Sequence, residues 1–149
     1  MRLFIAINFN DETISNLIYL RDNLKSNSSY GNFSLTENLH LTLEFLGECD
    51  AKQTAAIKEI MDSVEFNPFK INITRLGRFK RDEGDIWWAG VEESSELINL
   101  HSDLSYRLKK GGFSIESRKY SPHITLGRKV VTKIQPWKIE PFGETVNTI

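Results

Sequence analysis

His40-Leu41-Thr42-Leu43 and His123-Ile124-Thr125-Leu126 are nearly the same four-residue word written twice. A β-strand sends alternate side chains to opposite faces, so each word aims its histidine and threonine one way and its two aliphatic residues the other. Two polar pairs result, each backed by apolar side chains. An imidazole and a hydroxyl two residues apart are separated by about 6.5 Å of strand, close enough to converge on one tetrahedral group the size of a phosphate. The words take up two of the chain's three histidines.

Outward from them, the pattern alternates strand and helix. Leu3 to Asn8 reads as a buried strand, and Asn10 or Asp11 can cap a helix carrying Ile14, Leu17, Ile18 and Leu24 at helical spacing. Ser26 to Gly31 is expected to end that helix, and Leu39 to Leu46 is the first motif strand. Asp50 can cap a second helix, which Asn67-Pro68 stops. Phe69 to Leu76 reads as strand, Gly77 to Gly84 as a charged turn-rich connection, and Ile86 to Val91 as a buried strand. If Trp87 and Trp88 lie on a strand they point oppositely, one to the core. Ser94 or Ser95 caps a helix with Leu97, Leu100, Leu104 and Leu108, Gly111-Gly112 stops it, and Lys119 to Leu126 is the second motif strand. Pro136 and Pro141 read as a linker into a last strand with few ladder partners.

The offset of 83 residues from His40 to His123 also carries Ala6 onto Ala89 and Leu17 onto Leu100. The chain therefore reads as an internal duplication of strand, helix and returning strand. The expected architecture is a single α+β domain, residues 1–149, of two pseudo-symmetric lobes, with antiparallel-rich sheets around a central cleft and helices outside.

The 149 residues suit one domain, and 40% hydrophobic with 26% charged content suits a folded one. The lone Cys49 points to a reduced, cytoplasmic setting, and no stretch approaches membrane-spanning length. A net charge of −1 conceals 6 basic and 10 acidic residues in positions 1–74 against 13 and 10 in 75–149. Non-specific nucleic-acid binders need a strongly basic surface, so any RNA contact here should be local. The run Arg75-Leu76-Gly77-Arg78-Phe79-Lys80-Arg81 reads as a solvated loop that could also guide RNA, and His101, at the margin of a helix stripe, reads as structural.

Displacement at phosphorus by water needs a base on one side and an acid on the other, and histidine serves either role near neutral pH. Threonine hydroxyls can donate to the non-bridging oxygens. A zinc site is the competing reading, but its ligand count falls short: Cys49 is isolated and neither word contains a carboxylate. No metal or cofactor is expected.

The chain resembles the two-histidine phosphoesterase superfamily, most closely its RNA 2',3'-cyclic phosphodiesterases, also described as 2'-5' RNA ligases. The resemblance rests on Arg2-Leu3-Phe4-Ile5-Ala6-Ile7, on Glu37 to Glu48 around the first word, on Trp87-Trp88-Ala89-Gly90-Val91, and on Ser121-Pro122 followed by the second word and Gly127-Arg128. It implies that His40 with Thr42 and His123 with Thr125 are the catalytic motifs, His40 the acid and His123 the base. The implied reaction opens an RNA 2',3'-cyclic phosphate to a 2'-phosphate and could run backwards as 2'-5' ligation. Arg128, five positions after His123, could grip phosphate, and Phe45, five after His40, could stack on a terminal base. The implied partner is RNA with a cyclic phosphate end, such as a tRNA fragment, acted on by a monomer. The alternatives are a phosphodiesterase for small cyclic nucleotides or ADP-ribose cyclic phosphate, and a non-catalytic RNA-end binding module.

Overall fold

Each of the three helices starts at a side-chain cap in the computed structural model, which describes residues 1–149. Helix α1 (Asp11–Ser26) is capped by Asn10, whose Oδ1 accepts from the Thr13 amide at 2.9 Å. Helix α2 (Ala51–Ser63) opens with a reciprocal box, Asp50 accepting from the Gln53 amide and Gln53 from the Asp50 amide. Helix α3 (Ser95–Lys110) is capped by Ser94 and stops where the Gly111 amide bonds back to Arg107. Caps of this kind contribute about 0.5–2 kcal/mol each. Leu97, Leu100, Leu104 and Leu108 are all buried, as their spacing requires.

Seven strands complete the fold: β1 (Arg2–Ile7), β2 (Ser28–Phe33), β3 (Leu41–Glu48), β4 (Phe69–Phe79), β5 (Asp85–Val91), β6 (His123–Thr132) and β7 (Trp137–Val146). Strands β1 and β3 form a two-stranded sheet, and the other five lie in the order β2-β6-β5-β4-β7. Every pairing is antiparallel. The fold is α+β, and one hydrophobic cluster joins residues of both sheets and all three helices. Strands β1 and β3 pair across α1, and β5 and β6 pair across α3.

Four expectations are corrected. The stretch expected only to end α1 also opens a strand: Ser28–Phe33 is the edge strand β2 on β6, and edge strands face water and tolerate a polar sequence, which hid it. Strand β4 continues through Gly77-Arg78-Phe79, so the basic run is mostly strand rather than loop. The second motif strand begins at His123, not Lys119. The last strand does not lack partners: β7 pairs with β4 from Phe69↔Val146 to Leu76↔Trp137, and Pro141 falls in the irregular stretch between Lys138 and Phe142. An edge strand accepts proline there because no neighbour needs its missing amide.

Candidate active site

The first word lies where β1 and β3 fall out of step. Ile7 faces Leu41 and Ala6 faces Thr42, but the next pairs are Ile5 with Glu44 and Phe4 with Phe45, leaving Leu43 as an extra residue. Strict alternation would set Glu44 beside His40 and Thr42. The bulge instead turns Glu44 inward with Ile5, to 6% exposure, and brings Phe45 out on the face of Thr42 and Phe4. His40 stands one residue before β3, its ring stacked on Phe4 with centroids 4.7 Å apart. Partial burial lowers the His40 pKa below its ordinary value, and a backbone hydrogen bond with Glu37 opposes this.

The second word repeats the device. Gly90 faces His123, Ala89 faces Ile124, Trp88 faces Thr125, and Trp87 then faces Gly127, so Leu126 is the extra residue. Leu43 and Leu126 are themselves 83 positions apart. His123, Thr125 and Trp88 therefore share one face while Trp87 is buried in the core, as the strand reading of the two tryptophans requires. The His123 Nδ1 lies 2.7 Å from the Ser121 carbonyl oxygen. A carbonyl can only accept, so Nδ1 carries the proton and a neutral His123 keeps its lone pair on Nε2. Burial lowers the pKa of His123, the Ser121 contact raises it, and the nearby Arg128 guanidinium lowers it further.

The halves are laced together at the motif threonines. The Tyr120 hydroxyl donates to the Thr42 carbonyl at 2.8 Å, and the Ser34 hydroxyl donates to the Thr125 carbonyl at 2.8 Å. Each bond crosses from one half to the other. Beneath them, Glu44 Oε1 lies 3.1 Å from His101 Nε2 and accepts from the Ser105 hydroxyl, while the His101 ring stacks flat on Tyr120 with centroids 4.0 Å apart. Burial and the Glu44 charge push the Tyr120 phenol well above its ordinary pKa, so it stays a hydrogen-bond donor. No three His, Cys, Asp or Glu side chains converge anywhere in the chain as a metal would require.

Residues 20–144 match the family model of the 2'-5' RNA ligase superfamily. This chain belongs to the 2'-5' RNA ligase superfamily. It is 33% identical to an RNA 2',3'-cyclic phosphodiesterase of Archaeoglobus fulgidus, over 97% of this chain and 85% of that protein. It is 35% identical to one of Thermotoga maritima, over 99% of this chain and 78% of that protein. The crystal structure of Escherichia coli LigT complexed with 3'-AMP superposes with a TM-score of 0.81 at 27% identity, covering 97% of this chain and 83% of that one. The chain is thus an enzyme, a phosphoesterase of the two-histidine kind.

Within this 2'-5' RNA ligase superfamily fold, the sequence-chosen residues divide between the sheets. His40, Thr42 and Phe45 sit on the outer face of the β1–β3 pair, with Phe45 68% exposed. His123 and Thr125 sit on the outer face of the large sheet, with Arg128 exposed beyond the bulge. Motif strand β3 is in contact with β6, and the Tyr120–Thr42 and Ser34–Thr125 bonds tie each motif to the opposite half. Sequence reasoning missed Phe4, Ser34, Glu44 and Tyr120. Phe4 could have been found by alternation from the buried Ile5, but Glu44 could not, because its inward turn depends on the bulge.

Proposed function

We propose that this chain hydrolyses the 2',3'-cyclic phosphate at an RNA end to a 2'-phosphate, using two histidines and no metal. His123 Nε2 takes a proton from water as the water oxygen bonds to phosphorus. The bond from phosphorus to O3' breaks, and His40, protonated at the start, gives its proton to O3'. The Thr42 and Thr125 hydroxyls donate to the non-bridging oxygens, where charge accumulates. Arg128 pairs with the phosphate and Phe45 stacks on the terminal base. With a 5'-hydroxyl in place of water, His123 takes the hydroxyl proton as O5' bonds to phosphorus and O3' leaves with the proton of His40, which makes a 2'-5' bond; the reverse, with the roles exchanged, cleaves that bond to the cyclic phosphate.

One observation supports the reading: two His-x-Thr words, each followed by the same one-residue bulge, on strands of two different sheets that touch each other. The anchored Nδ1 of His123 supports its assignment as base, since the free nitrogen is the one that must accept a proton. The donor set supports a metal-free route, as no triad of metal-binding side chains is at hand. The names of the Archaeoglobus and Thermotoga relatives support RNA as substrate. A single monomeric domain in the cytoplasm belongs to the same reading, supported by the shared core and the lone buried Cys49. No helix is long and apolar enough to cross a membrane.

The test is to incubate purified protein and a chelator with an RNA oligonucleotide ending in 2',3'-cyclic phosphate, then identify the product isomer. A 2'-phosphate is expected. A 3'-phosphate would make O2' the leaving group, and no product despite tight binding would make the protein an RNA-end binding module.

A further inference from the structure

A row of residues leads away from His123 across the outer face of the large sheet. Gly90 on β5 faces His123, Arg75 on β4 faces Gly90, and Lys138 on edge strand β7 faces Arg75. Cross-strand partners project to the same side, so all four share the face of the second word. Three strand spacings, roughly 14 Å, separate His123 from Lys138 at Cα.

The middle of the row is built to hold a cation. A Cβ on Gly77 would come within 2.3 Å of the Trp88 ring, and one on Gly90 would meet Arg75 Cγ at 2.9 Å and the Trp88 ring at 3.0 Å. The two glycines thus leave a recess in which the Trp88 indole lies against the sheet. The Arg75 guanidinium sits over that indole, 5.4 Å from its centroid. Mid-strand glycines weaken a sheet, and a close approach of this kind is what they permit in return. Arg78, three residues on, belongs to the other face: it pairs with Asp85 at 3.7 Å, lies over the buried Trp87, and bonds to Gln135. Arg75 and Lys138 form no ion pair, and both are exposed. The basic run singled out in the sequence is therefore split: Arg75 is aimed along the face of His123, and Arg81 lies over Phe79, which packs edge-on against the His123 ring.

We infer that Arg75 and Lys138 form a subsite for the internucleotide phosphates on the 5' side of the reacting end. The inference rests on the proposed function and adds a preference for chains over mononucleotides. An arginine preorganised on an indole and a lysine one strand farther out offer two cations in line with the catalytic imidazole. That pattern suits a single-stranded backbone rather than one isolated phosphate. It also matches an overall charge near zero, since the contact to RNA is local.

The experiment compares Arg75→Gln, Lys138→Gln and a control, Lys109→Gln on α3, with the unaltered protein. Substrates are a mononucleotide 2',3'-cyclic phosphate and RNA oligomers of increasing length with the same end. The unaltered protein is expected to show kcat/KM rising with length, and the ratio of oligomer to mononucleotide kcat/KM should fall on the order of tenfold in the two variants but not the control. A length-independent kcat/KM, or an equal loss on both substrates, overturns the inference. Anisotropy of a labelled single-stranded RNA ending in a 3'-phosphate gives a reading independent of turnover. Each variant should weaken binding and make the logarithmic salt slope shallower by about 0.7. Unchanged affinity in both variants overturns the subsite even if the enzyme is active. Normal RNA binding lost in the variants, with no hydrolysis by the unaltered protein, would retain the subsite and discard the proposed function.

Discussion

The hydroxyl of Tyr120 donates a 2.8 Å hydrogen bond to the backbone carbonyl of Thr42, so the segment leading into the second histidine is fastened to the first motif. Ser34 returns the arrangement by bonding the Thr125 carbonyl. These bonds act on backbone placement, where a small displacement at a reacting group is costly.

Tyr120→Phe keeps the ring stacked on His101 and removes only the hydroxyl. We expect kcat to fall while KM for a cyclic-phosphate oligomer changes little, with a stability loss of about 0.5–1.5 kcal/mol by urea unfolding. Ser34→Ala should behave likewise. Unchanged kcat in both variants would show that the lacing serves folding alone.

Replacing either histidine with alanine should slow cyclic-phosphate hydrolysis by about 10² to 10⁴ fold. The double variant should lose less than the product of the two single losses, because acid and base act as a unit. Circular dichroism should confirm that all three variants fold. Full turnover in His123→Ala would remove it as base.

The pH dependence follows from the direction of both imidazole shifts. Burial favours the neutral ring at His40 and His123, so each titrates below its ordinary 6.5 in the free enzyme. Catalysis needs one ring protonated and one neutral, a combination that becomes scarce above both values. The profile of kcat/KM should therefore peak on the acid side of pH 6.5, and the profile of kcat should lie higher, since a bound phosphate anion stabilises an imidazolium. A kcat/KM optimum above neutrality would contradict the assignment. The same shifts bear on folding: the unfolded chain binds these protons more readily, so their contribution to stability is present above pH 6.5 and is lost as pH falls through the folded values.

Glu44→Ala should unfold more easily without reaching the substrate directly. It leaves His101 and the Ser105 hydroxyl without their buried acceptor, at a cost of about 1–3 kcal/mol. Urea midpoints read the loss, and His101→Phe combined with Glu44→Leu should recover part of it by replacing the polar group with apolar packing. If Glu44→Ala were as stable as the parent, the network would have no structural role.

Much of this molecule could be read from its residues before any coordinates. Apolar spacing and caps located α1, α2 and α3, and the repeated word located both motif strands, because local chemistry decides those features. Strand β2 stayed hidden because its polar side chains face water and its identity comes only from pairing with β6. The extension of β4 through Arg78 was missed for a similar reason: charge suggests solvent, yet Arg78 is neutralised by Asp85 and covered by Trp87 contacts. At the candidate site, the duplicated word led to both histidines and both threonines, and the positions five residues after each histidine led to Phe45 and Arg128, which are exposed. The roles of Glu44, Ser34 and Tyr120 were not legible, since each acts through a partner far away in the chain, such as His101, Thr125 and Thr42.

The bulge after each threonine shifts the phase of a two-residue rhythm. Before it, chemistry and core alternate on one parity; after it, on the other. A pattern search that insists on one unbroken parity along β3 would place Glu44 beside the substrate and consign Phe45 to the interior, the reverse of what the chain does. Allowing one slipped beat after the second letter of the motif recovers both positions, and on β6 it leaves room for Arg128 to join the histidine it follows. Deleting Leu43 or Leu126 would remove the extra residue and leave a regular ladder with the same pairs, Thr42 and Phe45 still outward and Glu44 still inward, at the cost of one core leucine.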